Sequence, residues 1–276
     1  MSGHVRQARV RLPLPRIFPV GCYAGRARVL VLRSALGYRR SWPVLVSGFF
    51  EPVFYLFAMG QGLGRLVGDL PGPDGAPISY SAFIAPGLLA ASAMNGAVLD
   101  STYNVFFKLR YAKLYDAMLA TPLGPTDIAL GEIGWALLRG GLYSLGFLSV
   151  MGAFGLLGSP WALLALPSAL LVGFAFAAVG MAATSFMRSW QDFDLIQLVI
   201  MPMFLFATTF FPLGVYPRSL QLVVESLPLF HAVELMRDLT TGVVHAGLLV
   251  HVGYFVVMAA LGTIVAARRL RALLLC

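Results

Sequence analysis

The chain has 276 residues, of which 59% are hydrophobic and only 12% are charged, and its mean hydropathy is +0.81. Soluble domains carry about 25% charged residues, so this composition excludes an ordinary soluble protein and indicates an integral membrane protein. The net charge of +8 does not indicate nucleic-acid binding, because the basic residues lie between long apolar runs and not on one polar domain. That distribution suits anionic lipid headgroups.

The N-terminal segment, residues 1–42, contains nine Arg and no acidic residue, and we expect it to be a cytoplasmic tail. It has no small-residue cleavage site after a short apolar core, which argues against a cleaved signal peptide. Within it, Tyr23 to Tyr38 alternates apolar and basic residues and predicts an amphipathic helix on the inner leaflet. A simple orientation signal is the alternative. The basic residues of the predicted interfacial helix are Arg26, Arg28, Arg33 and Arg39.

Residues 43–276 are predicted to form one all-α membrane domain with six transmembrane helices, since a bilayer core requires about 20 apolar residues in helix. Gly158, Ser159 and Pro160 break the longest apolar stretch into two of these spans. The predicted spans are Val44 to Gly62, Ile78 to Phe107, Ile128 to Leu157, Trp161 to Phe186, Leu195 to Phe211 and Ala246 to Ala267.

The Lys and Arg distribution predicts that both termini are cytoplasmic, because cytoplasmic flanks retain basic residues. In that orientation the cytoplasmic segments hold the nine N-terminal Arg and seven further basic residues: Lys108, Arg110, Lys113, Arg188, Arg268, Arg269 and Arg271. The opposite side holds three: Arg65, Arg218 and Arg237.

The connection between the second and third predicted spans has the features of a docking element. Residues Leu109 to Leu119 are predicted to form a short helix, which Pro122, Gly124 and Pro125 end. A solvated loop would explain its basic residues but not exposed Tyr111, Leu114, Tyr115, Met118 and Leu119 side chains, so docking onto a partner or onto the membrane surface is favoured. The predicted coupling residues are Lys108, Arg110, Lys113, Leu114, Tyr115, Met118, Leu119 and Thr121.

On the opposite side, two short helical pieces follow Pro212, namely Ser219 to Ser226 and His231 to Leu239, with a break at Leu227 and Pro228. They are equally well explained as re-entrant half-helices or as a surface loop. The residues of interest in this region are Pro212, Pro228, His231, Glu234 and Arg237.

Four ionisable residues fall within the predicted spans: Glu51, Asp100, Glu132 and Arg139. Each costs about 2.5–3.5 kcal/mol to insert, so each is a candidate for function. The three acids are predicted to lie in the cytoplasmic half, and Arg139 about 10 Å deeper than Glu132 on the same helix. We expect the partner of Arg139 on another span. One interpretation is a polar cluster that steers a substrate headgroup or holds the spans in two alternative packings. The other is a static network, or side chains that reach the nearby interface.

No catalytic or metal motif accompanies these charges. The spacing of His231, His245 and His251 is not that of helical metal ligands, and no Ser has a recognisable nucleophile motif. The chain contains only two Lys, Lys108 and Lys113, and neither lies in a glycine-rich phosphate-binding loop. We therefore expect no enzyme activity, metal or cofactor in this chain, and ATP hydrolysis on another polypeptide.

Six sequence segments resemble the type 2 ABC exporter permeases, in the same order and spacing from about residue 25 to the C-terminus. The most similar branch is the nodulation-factor (lipo-oligosaccharide) exporter permease, beside daunorubicin-type drug-resistance permeases. The segments are EPVFYLFAMGQGLG (51–64), FIAPGLLAASAM (83–94), LYDAMLATPL (114–123) followed by GEIGW (131–135), MFLFATTFFPL (203–213) and PLFHAVELMR (228–237). The basic tail before Phe18 departs from the family pattern.

This resemblance implies six spans, an N-terminal interfacial helix, a coupling helix, extracellular re-entrant helices and a bacterial inner-membrane location. It implies a pair of permeases, identical or paralogous, bound to two ATPase subunits that carry ATP and Mg²⁺. The implied substrate is amphipathic: a lipid, glycolipid, lipo-oligosaccharide or hydrophobic drug. A proton-coupled transporter using Glu51, Asp100 and Glu132 is the alternative, and a membrane enzyme acting on lipid-linked sugars is disfavoured because no catalytic motif is present.

Overall fold

The computed structural model describes residues 25–38 and 42–275, with the backbone alone over 42–49 and at 275. Residues 1–24, with most of the basic tail, and Arg39 of the predicted interfacial helix lie outside the described residues. The described chain is mostly helical, as predicted for an all-α membrane protein. Its helices are α1 (Ala27–Tyr38), α2 (Trp42–Gly62), α3 (Gly64–Val67), α4 (Tyr80–Leu99), α5 (Leu114–Leu119), α6 (Pro125–Ala153), α7 (Ala165–Thr184), α8 (Asp192–Phe206), α9 (Arg218–Ser226), α10 (Pro228–Thr241) and α11 (Leu248–Leu275).

Four helical stretches of the described chain are long and apolar enough to cross a membrane: Tyr80–Tyr111, Pro125–Ala153, Pro160–Thr184 and Leu248–Leu274. They correspond to the second, third, fourth and sixth predicted spans. The first and fifth predicted spans correspond to α2 and α8, whose crossing of the bilayer stays a prediction. Helix α8 has 15 residues, or about 22 Å at 1.5 Å per residue, and is shorter than a hydrocarbon core of about 30 Å.

The ends of these helices follow local chemistry. The Ser79 hydroxyl accepts a hydrogen bond from the Ala82 amide at 3.3 Å and caps α4. Pro125 occupies the first turn of α6, where a missing amide hydrogen is tolerated. The predicted break at 158–160 is confirmed: α6 ends at Ala153, and a 3₁₀ turn over Pro160–Leu164 leads into α7.

One element departs from a purely helical fold. Strands β1 (Asp69–Pro71) and β2 (Pro77–Ser79) pair antiparallel, with Leu70 opposite Ile78. Each strand has three residues and contains a Pro, so neither has the alternating pattern from which strands are predicted. This hairpin connects α3 to α4.

The centre of the bundle is α7, which packs against α4, α6 and α11. Small residues recur on it every fourth position and are all buried: Ala165, Ala169, Gly173 and Ala177. Such spacing lets helix backbones approach closely in a membrane. The contact with α11 is tight, since a Cβ at Gly262 would lie 2.9 Å from the backbone of Ala178.

Contacts define two ends of the bundle. At one end, which we call the α5 end, Lys108 at the end of the α4 stretch meets Glu132 near the start of α6. At the other, the α10 end, Arg237 of α10 lies against Phe83 near the start of α4. The amide of Gly158, just after α6, donates to the Thr240 carbonyl at 2.9 Å, so α6 runs from the α5 end to the α10 end.

The polypeptide leading to α5 is not the single helix predicted over Leu109 to Leu119. After α4 the chain is π-helical over Asp100–Asn104 and Phe107–Tyr111, and it then breaks at Lys113, which has φ of 44°. Helix α5 begins only at Leu114. A non-glycine residue at positive φ has no reliable sequence signature, which is why the break was not predicted.

Candidate functional site

Helix α5 is attached to the bundle by the side chains that were expected to be exposed. Tyr115 is 1% and Met118 7% exposed, whereas Tyr111 is 61% exposed. Leu114 and Leu119 are partly buried against the same core. The expected exposure is therefore wrong for Tyr115 and Met118, because the apolar stripe of α5 packs inward. Its outward face consists of Lys113, Asp116, Ala117, Ala120 and Thr121.

A partly buried ion pair lies beneath α5. Nζ of Lys108 is 2.6 Å from Oε2 of Glu132, joining the end of the α4 stretch to the first turns of α6. The Tyr115 ring is buried beside this pair; burial raises the pKa of Tyr115 well above its usual range, and the Glu132 carboxylate raises it further. A movement of α5 is therefore transmitted to the α4 stretch and to α6, which the ion pair joins. Sequence reasoning placed Lys108 in the coupling segment and Glu132 among the membrane charges, and did not predict that they meet.

Asp127, which sequence reasoning did not select, holds three segments together. It is fully buried, and its Oδ1 accepts from the amide of Arg26 at 2.8 Å. Its Oδ2 accepts from the amide of Gly124 at 3.0 Å, which caps α6 directly after the α5 segment. The Arg26 guanidinium also donates to the Pro122 carbonyl at 3.1 Å. An acidic residue three positions after a Gly-Pro break is the signal that could have indicated this cap.

Helix α1 lies across the start of α6. Leu30 is its buried residue and faces Gly131, where an added Cβ would come within 2.7 Å of the Leu30 side chain. The predicted basic residues Arg26, Arg28 and Arg33 are exposed, and so are Leu32 and Leu36. An exposed surface that is both apolar and basic is typical of a helix at a membrane interface.

The loop between α7 and α8 also meets the coupling segment. Arg110 donates to the Met187 carbonyl at 3.0 Å. Nearby, the rings of Tyr103 and Phe193 stack at 4.0 Å between centroids, with Trp190 5.0 Å from Phe193. This aromatic cluster joins the π-helical end of the α4 stretch to the first turn of α8.

Of the four charges predicted within the spans, two form a pair. Nη1 of Arg139 on α6 lies 2.8 Å from Oδ1 of Asp100 at the end of α4, which confirms that the partner is on another helix. Nε of Arg139 donates to the Tyr143 hydroxyl at 2.8 Å, and the Asn104 amide donates to Asp100 at 2.7 Å. Glu51 is exposed on α2, and among the described side chains none forms an ion pair with it.

At the α10 end, Arg237 covers an irregular part of the chain. Helix α8 ends at Phe206, and Thr208 follows with φ of 58°. Arg237 is 4% exposed and donates from Nη2 to the Thr208 carbonyl at 2.7 Å and from Nη1 to Glu234 at 2.6 Å. Its guanidinium also lies 4.1 Å from the Phe83 ring centroid. Arg237 thus satisfies the Thr208 carbonyl, a backbone group that α8 leaves free, and Glu234 accepts from the Thr208 hydroxyl at 3.1 Å.

The other predicted residues of this region are arranged around α10. Pro228 begins that helix, and Pro212 follows the irregular segment. Nδ1 of His231 lies 2.8 Å from Nδ1 of His251 on α11, so one ring donates and the other accepts. Among residues 25–38 and 42–275, no three His, Cys, Asp or Glu side chains form a group suited to a metal ion.

Comparison with known proteins identifies the class of this arrangement. The family model of the ABC-2 type transporter matches residues 26–240. The chain is 35% identical over 244 residues to Nodulation protein J of Rhizobium leguminosarum bv. viciae, covering 86% of this chain and 92% of that protein. It is 35% identical to Nodulation protein J of Rhizobium meliloti (strain 1021) and 36% identical to that of Rhizobium leguminosarum bv. trifolii, each over 82% of this chain and 86% of the relative.

These matches confirm the resemblance that the six sequence segments indicated. The family match begins at Arg26, which binds Asp127, and includes the coupling segment, the Asp100–Arg139 pair and α10 to within one residue of its end. The protein is therefore a multi-pass membrane transport subunit, and the chain belongs to the ABC-2 type transporter family.

Proposed function

We propose that this chain is the permease of an ATP-driven exporter in the bacterial inner membrane, moving an amphipathic substrate out of the cytoplasm or inner leaflet. The substrate classes that fit are lipids, glycolipids, lipo-oligosaccharides and hydrophobic drugs. Two permease copies, identical or paralogous, surround the substrate, and two separate ATPase subunits bind ATP and Mg²⁺. The chain itself binds no cofactor or metal. Family membership and the absence of a phosphate-binding loop around either Lys support this division of labour.

The observation that carries the proposal is the construction of α5. Its inward face is anchored by Tyr115 and Met118, and its outward face is short, small and polar. A six-residue helix held this way transmits a push and cannot fold alone. Force applied to Ala117 and Thr121 reaches α4 and α6 through the Lys108–Glu132 pair. The ATPase contact is therefore assigned to the outward face, and the predicted coupling residues that point inward act as its attachment.

Helix α1 provides the second connection. The bond from the Arg26 amide to Asp127 ties it to the start of α6, so α1 and α5 move with the same helix end. Its exposed basic and apolar residues rest on the inner leaflet. In this arrangement α2, α4, α6, α7, α8 and α11 are the six spans, both termini are cytoplasmic, and α9 and α10 are the extracellular re-entrant pieces.

Reconstitution tests the proposed function directly. The chain is purified with its proposed ATPase partner and placed in liposomes, and movement of a fluorescent glycolipid is followed by its accessibility to a membrane-impermeant quencher. We expect ATP-dependent movement that vanadate abolishes, and loss of movement when the phosphate-binding Lys of the ATPase is replaced. Ala117→Arg on the outward face of α5 should give the same loss with the bundle intact.

Continued transport with the inactive ATPase would reject the proposal. If such transport followed a proton gradient and was abolished by Glu51→Gln, the proton-coupled alternative would replace it. The structure favours the ATP-driven mechanism, because two of the three acids that the alternative requires, Asp100 and Glu132, are already engaged in ion pairs.

A further inference from the structure

A small cavity lies between α2, α4, α6 and α8, beside the Asp100–Arg139 pair. Its volume is about 70 Å³, which at about 10–15 Å³ for each water-sized position admits a group of about five non-hydrogen atoms. The polar part of its wall consists of Glu51, Tyr55, Ser92, Asn95, Arg139 and Tyr143. A cavity with several polar groups in a membrane helix bundle is a candidate binding site.

The charges around the cavity do not cancel. Arg139 is neutralised by Asp100 at 2.8 Å, and its Nε is used by the Tyr143 hydroxyl. Glu51 has no ion-pair partner among the described side chains. The Lys108–Glu132 pair farther along the bundle adds no net charge. Glu51 is exposed on α2 within a predicted span, so one carboxylate remains uncompensated there, and a cation is the group that offsets the cost of placing it in the bilayer.

Aromatic rings provide the second feature of the wall. The rings of Tyr55 on α2 and Phe204 on α8 meet edge to face, with 5.9 Å between centroids. The Tyr143 ring is already used by Arg139, whose Cζ lies 5.5 Å from its centroid. No cation–π contact involves Tyr55 or Phe204 among the described residues, although Phe204 also meets Phe210 edge to face at 5.2 Å. Aromatic faces beside a carboxylate are the usual recognition elements for alkylammonium groups.

The exposed surfaces of α2 and α8 beside the cavity suit an apolar tail. Phe54 on α2 is 66% exposed and Leu198 on α8 is 68% exposed, and both belong to surfaces of apolar residues. A hydrocarbon chain attached to a group held in the cavity would lie against these surfaces within the bilayer.

We propose that this cavity binds the ammonium group of an amphipathic amine, with Glu51 as its counter-ion and Tyr55 and Phe204 as its aromatic wall. The inference rests on the proposed export function, of which it names the substrate class. The Glu51 carboxylate disfavours an anionic headgroup through like-charge repulsion. The charge of the ligand, and not its shape, determines binding.

Cysteine protection in the full-length permease tests this inference without the ATPase. Cys22 and Cys276 are replaced by Ser, Ser92→Cys is introduced in the cavity wall, and the labelling rate by a small maleimide is measured in nanodiscs of neutral lipid. Choline is the probe, and 3,3-dimethylbutanol, which has the same shape without the charge, is the matched control. We expect choline alone to slow labelling.

Glu51→Gln should weaken protection by choline at least about tenfold, because it removes the single uncompensated charge. Asp194→Asn removes an exposed carboxylate on α8 outside the cavity and should leave protection unchanged. Equal protection by the neutral alcohol, or unchanged protection in Glu51→Gln, would overturn the assignment. Either result would leave ATP-dependent export intact, whereas failure of export with normal choline protection would reject only the proposed function.

Discussion

Single residues at the α10 end give the protein a pH-dependent component. Asp238 on α10 is 4% exposed, and its Oδ2 lies 3.0 Å from Nε2 of His245. Burial raises the pKa of Asp238 to about 6, and the nearby Glu234 carboxylate adds to this, while His245 and Arg237 oppose it. The folded protein therefore holds a proton that an unfolded chain releases near pH 4.

Asp238→Asn should remove this pH dependence. Because the carboxyl binds its proton more tightly in the folded state, Asp238 contributes less stability as the pH rises from about 4 to about 6, by about 1–2 kcal/mol in total after screening by solvent. We expect the wild type to lose stability relative to Asp238→Asn across this window and no further above about pH 7. Thermal unfolding midpoints in detergent micelles measure the difference.

Asp69→Asn provides the control, since Asp69 is exposed on β1. Its midpoint should follow that of the wild type at every pH. If Asp238→Asn also followed the wild type from pH 4 to 7, the raised pKa of Asp238 would be disproved.

Some residue contacts were predictable and others were not. An unpaired Arg in a span is expensive, so a partner for Arg139 on another helix followed from the sequence. That the partner is Asp100 depends on how α4 and α6 rotate against each other, which periodicity does not fix. The pairing of Glu132 with Lys108 was missed for the same reason.

At the scale of elements, α5 makes a testable connection between packing and coupling. Replacing the buried Tyr115 by Ala removes a ring whose burial is worth about 3–5 kcal/mol in comparable sites. Because α5 has six residues, we expect the helix to detach locally while the bundle remains folded. Hydrogen exchange over residues 107–121 should accelerate, and stimulation of the partner ATPase by the permease should fall.

Tyr115→Phe keeps the ring and should preserve both slow exchange and ATPase stimulation. Slow exchange in Tyr115→Ala, equal to that of the wild type, would show that α5 is held by other contacts.

The helix bounds predicted from the sequence were accurate for some elements and not for others. The two outer pieces were predicted well: Ser219 to Ser226 is α9 to within one residue, and His231 to Leu239 lies within α10. Their bounding prolines give clear signals. The coupling helix was placed wrongly at its start because neither π-helical winding nor the positive φ of Lys113 alters the apolar pattern.

At the scale of the molecule, the helices at the centre of the bundle are closely packed, and those on one side bury fewer side chains. Helices α4, α7, α10 and α11 pack closely through small residues. Helix α8 buries only Phe193 and Met203 of its described side chains. At Gly262 the backbones of α7 and α11 are in close contact, so separating or sliding these two helices would lose packing contacts. Rearrangement during transport is therefore expected on the side of α2 and α8.

The orientation of the molecule can be measured with single cysteines in a background lacking Cys22 and Cys276. Ala117→Cys lies on exposed α5, and Val215→Cys is in an exposed turn near the α10 end. We expect an impermeant maleimide to label position 215 in intact cells and position 117 only in inverted vesicles. Labelling of position 117 from outside would reverse the proposed topology.

The class of the molecule was predictable because apolar run lengths and basic flanks are summed over many residues. The depth and pairing of α2 and α8 were not predictable, since many of their described side chains are exposed and sequence patterns report burial without naming what covers it.

The π-helical winding between Asp100 and Tyr111 has a mechanical consequence. Each π turn stores one residue more than an α turn, and releasing a stored residue would advance everything after it by about 1.5 Å with a rotation of about 100°. The segment that leads into α5 can therefore lengthen without losing its helical hydrogen bonding. Helix α5 can rotate and move outward while α4, at the other end of the same helical stretch, keeps its contacts with neighbouring helices.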